Sequence, residues 1–356
     1  MKKKITINDL ARHLNISKTT ISFVLNGKGM EKGISESSQT RILDYVEKVS
    51  YMPNVSAQGL RTGKTKTIGM MVEDIADPFF SSIARAMEEI AYIKGYKILY
   101  SSTENNTRKT KDLIRFYRNR QVEGYIIAPP PGIEEDINEL IDDNLAVVLF
   151  DRTLTGIEAN NVLVDNFHSS YKAVKHLIEN GYRNIAMITL DSEQVQMMER
   201  ERGYREAVNE IGKAFLIKNI GFQDRNAGNV QEIQHFLDLG NEIDAVFFTT
   251  NYLAESGLEA IRNLKLRIPE DLGIVVFDDD KLFRLLSPTI TAIAQPIVEI
   301  SEHAIRLMLM LLSGKGGAKK TRKSILLSAI LQIRESSMPK QGIGSFAAQE
   351  MHLKVP

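Results

Sequence analysis

The sequence predicts an α/β protein: a small all-helical module, a short linker, and two doubly wound parallel α/β subdomains. Three observations carry this expectation. The first fifty residues hold three short amphipathic stretches, each opened by a residue that can cap a helix. From Ile68 onward, continuous apolar runs alternate with helical stretches, the pattern of buried parallel strands in βαβ units. Eight or more such runs exceed one comfortable sheet of this type, so two subdomains fit better. At 356 residues the chain is long enough for two or three domains, and 43% hydrophobic residues suffice for ordinary globular cores.

The elements follow in order. Thr6 can cap a first helix, with Asp9 in a weaker form of the capping box, and Ile7, Leu10, Ala11 and Leu14 make its apolar stripe. After a turn at Asn15-Ile16, Ser17 can cap a second helix whose inward side is Ile21, Val24 and Leu25, ended by Gly27 and Gly29. Ser35 opens a third, with Ile42, Leu43, Val46 and Val49 expected inward, and "YMPN" stops it because a residue before proline avoids the α region. Residues 54–66, "VSAQGLRTGKTKT", suit a linker or a marginal helix, since Gly59 weakens it. The strands are expected in "TIGMMV", "YKILYSS", "GYIIAP", "AVVLFD", "NIAMITL", "FLIKNIGF", "DAVFFTT" and "LGIVVFDD". The basic, glycine-rich "SGKGGAKKTRK" lacks P-loop spacing and reads as a solvated loop, and residues 339–356 as a flexible tail.

Charge is unevenly placed. Residues 1–66 hold twelve Lys and Arg against five Asp and Glu, a net +7 on a chain whose formal total is zero. A basic end on an acidic body suggests a polyanionic partner, with a solvated positive face as the alternative. There is no cysteine, which excludes disulfides, thiolate metal sites and a cysteine nucleophile. The start "MKKKITINDLARHL" has no apolar core of a secretory signal, and the longest apolar run is too short to span a membrane, so a cytoplasmic location is expected.

The second helix is the candidate reader of nucleic acid. In a helix-turn-helix, the N-terminal residues of the second helix meet base edges in the major groove. Lys18, Thr19, Ser22, Phe23 and Asn26 share the side opposite its inward residues. Lys can donate to guanine and Thr can touch a base or a methyl, while Ser17, Ser22 and Asn26 suit phosphates, which position without reading sequence; Thr6 is expected with these residues at the major groove. Phe23 stands where a polar side chain would be natural, and a contact to a thymine methyl is its expected role.

In doubly wound folds ligands sit beyond the carboxyl ends of the strands. Those ends carry Asp77, Phe79 and Phe80, then Asp151-Arg152, Arg200 after a loop, Asn251, Asp278 and Gln295. Carboxylates accept from hydroxyls, Arg, Asn and Gln donate, and a phenyl ring covers an apolar sugar face: the inventory for a neutral polyol. Taken singly, Asp77 could be a helix cap, the phenyls core residues and Arg200 a surface ion pair. The six histidines show no metal spacing, no nucleophile elbow or phosphate-binding fingerprint is present, and neither an enzyme nor a cofactor is expected.

The order of "TINDLARHLNISKTTISFVLNGK", "ISESSQTRILDYVEKVSYMPNVSAQGLRTGKTKTIGMMVEDIADPFF" and "ILQIRESS" resembles the LacI/GalR family of bacterial transcription regulators over about residues 5–338. The resemblance implies a DNA-binding domain at 1–52 and a hinge helix at 53–66. It also implies an effector body, with 67–162 and 293–324 in one subdomain and 163–292 and 325–338 in the other. It further implies a homodimer on pseudo-palindromic operator DNA, with Ala57 and Leu60 at the minor groove, where an apolar wedge can unstack a base step. The body is similar to ribose-type periplasmic sugar-binding proteins, and this implies that Asp77-Pro78-Phe79-Phe80, Asp151-Arg152, Arg200, Asn251, Asp278 and Gln295 hold a small neutral sugar. The chain departs from the pattern with Phe23 and Gln39 where arginine is usual, Asp77 for Asn, and Tyr252 for Asp. The expected function is a regulator, a repressor by preference, controlled by a sugar between the subdomains. A sugar-binding protein without a regulatory role is the alternative, against which the +7 N-terminal module argues; a sugar-processing enzyme would show turnover.

Overall fold

The computed structural model describes residues 5–51, 65–221, 227–239, 242–314 and 322–339. The chain divides into two units, residues 1–65 and 66–356. The expected hinge residues Ala57 and Leu60, most of the glycine-rich loop and most of the tail lie outside the described residues.

The first unit has helices α1 (Ile7–Leu14), α2 (Lys18–Leu25) and α3 (Glu36–Lys48). Each starts where a side chain replaces missing helix partners. The Thr6 backbone N–H donates to Asp9 at 2.9 Å while Asp9 N–H donates back to the Thr6 hydroxyl, so the box is complete despite the shorter acid. Asn15 takes the left-handed conformation (φ 52°) that turns the chain sharply into α2. Leu10, Leu14, Ile21, Val24 and Ile42 make the core. Leu43, expected inward, is 48% exposed. It lies one position, about 100°, round the helix from Ile42, and Tyr45, Val46 and Val49 share Ile42's side instead. Between α2 and α3 the buried Gly29 lies under Gln39; a Cβ there would come 2.3 Å from the Gln39 side-chain oxygen. Gln39 in turn donates to the Ile34 carbonyl at 2.8 Å, so it braces the turn.

The second unit is built on two six-stranded sheets. The first contains β1 (Thr67–Val72), β2 (Lys97–Ser102), β3 (Gly124–Ile127), β4 (Ala146–Phe150), β5 (Asn160–Val164) and β11 (Ser324–Leu327), in the order β11-β5-β4-β3-β1-β2, all parallel. The second contains β6 (Ile185–Leu190), β7 (Leu216–Ile220), β8 (Ala245–Phe248), β9 (Gly273–Phe277), β10 (Thr291–Ala294) and β12 (Ile330–Gln332), in the order β12-β10-β9-β8-β6-β7. Only β12 runs antiparallel, against β10. The central strands are buried on both faces, which is why they read as unbroken apolar runs. Helices cover both faces, and apolar clusters fill each side of each sheet.

The chain passes between the sheets after Val164, after Ala294 and after Leu327. The boundaries expected at 162, 292 and 324 are corrected accordingly: they cut into or abut β5, β10 and β11, and a strand keeps its ladder to its end before the chain crosses. Strands β5, β11 and β12 were not expected from the apolar runs. They lie at or next to a sheet edge, they are short, and their alternating or exposed residues hide the signal.

Candidate nucleic-acid interface and ligand crevice

On α2, Lys18 and Thr19 are exposed in the first turn and Asn26 at the last, with Ser22 and Phe23 partly buried beside them. Ser17 accepts from the Thr20 N–H at 3.0 Å and lies 2.8 Å from the Thr20 hydroxyl, so its oxygen builds the helix start. Asn26 caps the far end and its amide turns back to the Ser22 carbonyl at 2.6 Å. Thr6 is held in its capping box. Phe23 is outside the core cluster, with the Lys32 ammonium 5.6 Å from its ring centre. The first turn of α2 thus offers a cationic and a hydroxyl side chain beside a partly buried ring, on a helix locked at both ends. This is a surface able to meet a groove.

In the second unit, residues at the carboxyl ends of strands from both sheets converge on one crevice. Asp151 and Asp278, directly after β4 and β9, both take left-handed backbone conformations (φ 64° and 76°). That geometry costs an ordinary residue of order 1–3 kcal/mol and clusters at functional sites. From Asp151 the chain delivers Arg152, which is 4% exposed. Its Nε donates to Asp151 at 2.8 Å, one terminal nitrogen to Asn105 at 2.8 Å and the other to Glu73 at 2.9 Å. Burial opposes its charge, yet Asp151 and Glu73 prevail and hold it firmly protonated.

Arg200, on the helix Val195–Asn209, is 2% exposed and lies with its guanidinium carbon 3.5 Å from the Phe277 ring centre. It donates to Asn166 at 2.9 Å and to the Thr249 carbonyl at 2.6 Å, and stands 3.7 Å from Asp278. The Gln295 amide donates to the other Asp278 oxygen. Asp77 caps the helix Pro78–Ile93, accepting from the Phe79 N–H at 2.9 Å, and also receives the Asn251 amide at 3.3 Å. Because Asp77 follows β1 and Asn251 opens the helix after β8, that bond links the two subdomains. Burial pushes Asp77 up to about 7; Asp278 and Glu73 add to this, while the Phe79 N–H and Asn251 oppose it. Asp278 is also raised, first by burial, against the pull of Arg200 and Gln295.

The two phenyl rings meet edge to face at 5.0 Å, but Phe80 is built into the first sheet's core, edge-on to Phe150. Phe79 is the more exposed of the pair. Glu73, Asn105, Asn166, Thr249 and Phe277 were missed from sequence. Glu73 and Asn166 closely follow β1 and β5, so the strand-end rule could have found both. Asn105 needed the loop after β2, which holds it at φ 52°. A cavity of about 270 Å³ adjoins Asp151 and Arg152 and is lined on its other side by Asn166, Val195 and Gln196.

A locked helix with a cationic, hydroxyl-bearing first turn, in one chain with a two-lobed body that gathers polar groups in its cleft, defines a class: a DNA-binding regulator with a ligand-binding body. The profile described as bacterial regulatory proteins, lacI family, matches residues 6–54, and that of a periplasmic binding protein-like domain matches residues 174–337. The chain therefore joins a lacI-family DNA-binding region to a periplasmic binding protein-like domain. It is 29% identical to catabolite control protein A of Priestia megaterium over 85% of this chain and 91% of that one. Among solved structures, the lac repressor dimer bound to operator and the anti-inducer ONPF aligns over 94% of this chain and all (100%) of that one, at a TM-score of 0.82 and 20% identity. A LacI family regulator of Enterococcus faecium with bound ribose aligns over 77% and 99%, at a TM-score of 0.67 and 26% identity.

Proposed function

We propose that this regulator is a repressor that acts as a homodimer on a pseudo-palindromic operator, with its affinity set by a sugar in the crevice. The observation that carries the reading is the convergence of Asp151, Arg152, Arg200, Asn251, Asp278 and Gln295 from strand ends of both sheets into one cleft. Lys18, Thr19 and Phe23 are assigned to the major groove, Thr6, Ser17, Ser22 and Asn26 to positioning on phosphates, and Ala57 and Leu60 to the minor groove. The solved dimer on operator and the ribose-bound relative support dimerisation and the sugar. A sugar bridging both subdomains favours the closed crevice over the open one, and it shifts operator affinity only as far as its affinities for the two states differ. The body binds its ligand without turning it over.

The test is a chain lacking residues 1–62. It retains sugar binding, seen as a raised melting temperature, and loses salt-dependent operator binding. Loss of both with the body still folded refutes the modular reading. Turnover of the sugar refutes the binding role.

A further inference from the structure

The crevice is not charge-balanced. Glu73, Asp77, Asp151 and Asp278 bring four carboxylates, against two guanidiniums on Arg152 and Arg200 among the described residues that face one another there. Asp77 stands where the resembling motif has asparagine, and Glu73 is paired with Arg152 at 2.9 Å. Both arginines are committed. Arg152 donates through Nε and both terminal nitrogens to Asp151, Asn105 and Glu73, and Arg200 donates through Nε and one terminal nitrogen to Asn166 and the Thr249 carbonyl and stands 3.7 Å from Asp278. Neither is placed to neutralise Asp77, which receives one backbone N–H and a long amide contact. The rim of the adjoining cavity adds no net positive charge, because Arg202 there pairs with Glu199 at 2.7 Å.

An independent feature points the same way. Gln196 lines that cavity and is 3% exposed, yet its side-chain oxygen has no hydrogen-bond partner. Its amide nitrogen is spent on Gln194 at 2.9 Å. A buried acceptor left without a partner loses its hydration with no return, so the site asks for a donor. The excess carboxylate calls for a ligand that carries positive charge, and the orphaned acceptor in the adjoining cavity for one that donates a hydrogen bond.

We propose that the effector is a sugar bearing a protonated amino group, which sits against Asp77 and Asp278. This rests on the sugar reading of the same crevice and narrows it. Hydroxyls of the ring meet Asp151, Arg200, Asn251 and Gln295, the ring's apolar face meets Phe79, and the ammonium supplies the charge that the protein's own side chains do not.

The experiment is calorimetric titration of the full chain at about pH 7 with matched sets: glucosamine, galactosamine and mannosamine, their N-acetyl forms, and glucose, galactose and mannose. At least one free amine binds tenfold or more tighter than both its N-acetyl and its unsubstituted counterparts. Asp77→Asn reduces that ratio at least tenfold, and Glu73→Gln, which keeps Asp77, reduces it less. Equal or tighter binding of the neutral sugars overturns the charge inference and leaves the sugar reading standing. A preference for the amine that survives intact in Asp77→Asn overturns the seat at Asp77. Absence of binding by all the sugars, neutral and charged alike, overturns both.

Discussion

Asp77 makes the stability of the body depend on pH in a direction opposite to most carboxylates. Its pKa is lifted from 3.8 to about 7. A raised acid contributes stability that is fullest when it is protonated and is lost as pH rises through the folded value. Between pH 6 and pH 8 the folded state must release its proton from Asp77 while the unfolded chain has already done so, which costs about 1.4 kcal/mol. The complete shift is worth about 4 kcal/mol, part of which is released when the crevice opens rather than when the body unfolds. Asp77→Asn removes the titration and keeps an oxygen for the Phe79 N–H cap. Differential scanning calorimetry of both proteins at pH 6 and 8, without ligand, measures the difference. For a body of this size, about 1.4 kcal/mol corresponds to roughly 3 °C. The variant therefore gains roughly that much on the natural protein as pH rises, and relief of Asp278, which Asp77 faces, acts with the same sign. A difference that does not change between the two pH values, or one that shrinks, refutes the electrostatic account of the crevice.

Further predictions follow the same geometry. Arg152→Ala strands Glu73 and Asp151 as buried charges without their cation, and destabilises the body by about 3–5 kcal/mol in denaturant titration; adding Glu73→Gln recovers part of the loss. Gly203→Ala places a methyl 2.4 Å from the Phe167 backbone carbonyl, where the helices Asn166–Glu179 and Val195–Asn209 pack. Backbone cannot step aside as a side chain can, so the expected loss is about 3 kcal/mol or more, read by thermal unfolding. Phe23→Arg shifts the preference at one operator position toward guanine by about 1–3 kcal/mol, read by selection from randomised sites. An unchanged preference makes Phe23 a packing residue, held under Lys32.

The strands were legible wherever burial on both faces left an unbroken apolar run, as in "AVVLF" and "GIVVF". They were illegible where burial alternates along the strand or is slight, as in "NNVLV" and "ILQ". Helix starts were legible because a cap is a local event: Thr6, Ser17 and Ser35 each bond a backbone N–H within three residues. Leu43 was misassigned because an apolar residue next to a stripe carries no local mark of which side it takes.

By itself the sequence determined the order of elements, the strand-end residues and the family, because these depend on local propensity, alternation and colinear motifs. Only the tertiary structure decided what those residues do to one another. It joined Glu73 to Arg152 across 79 positions and Asn251 to Asp77 across 174, and it buried Phe80 in the core with Phe79 partly buried against it. Charge balance in a cleft is a property of distance and burial, and neither is written in the spacing of residues along a chain. Asp77 shows the difference. In sequence it is an asparagine position filled by an acid; in the fold it is a carboxyl held near neutrality by the groups that close around it.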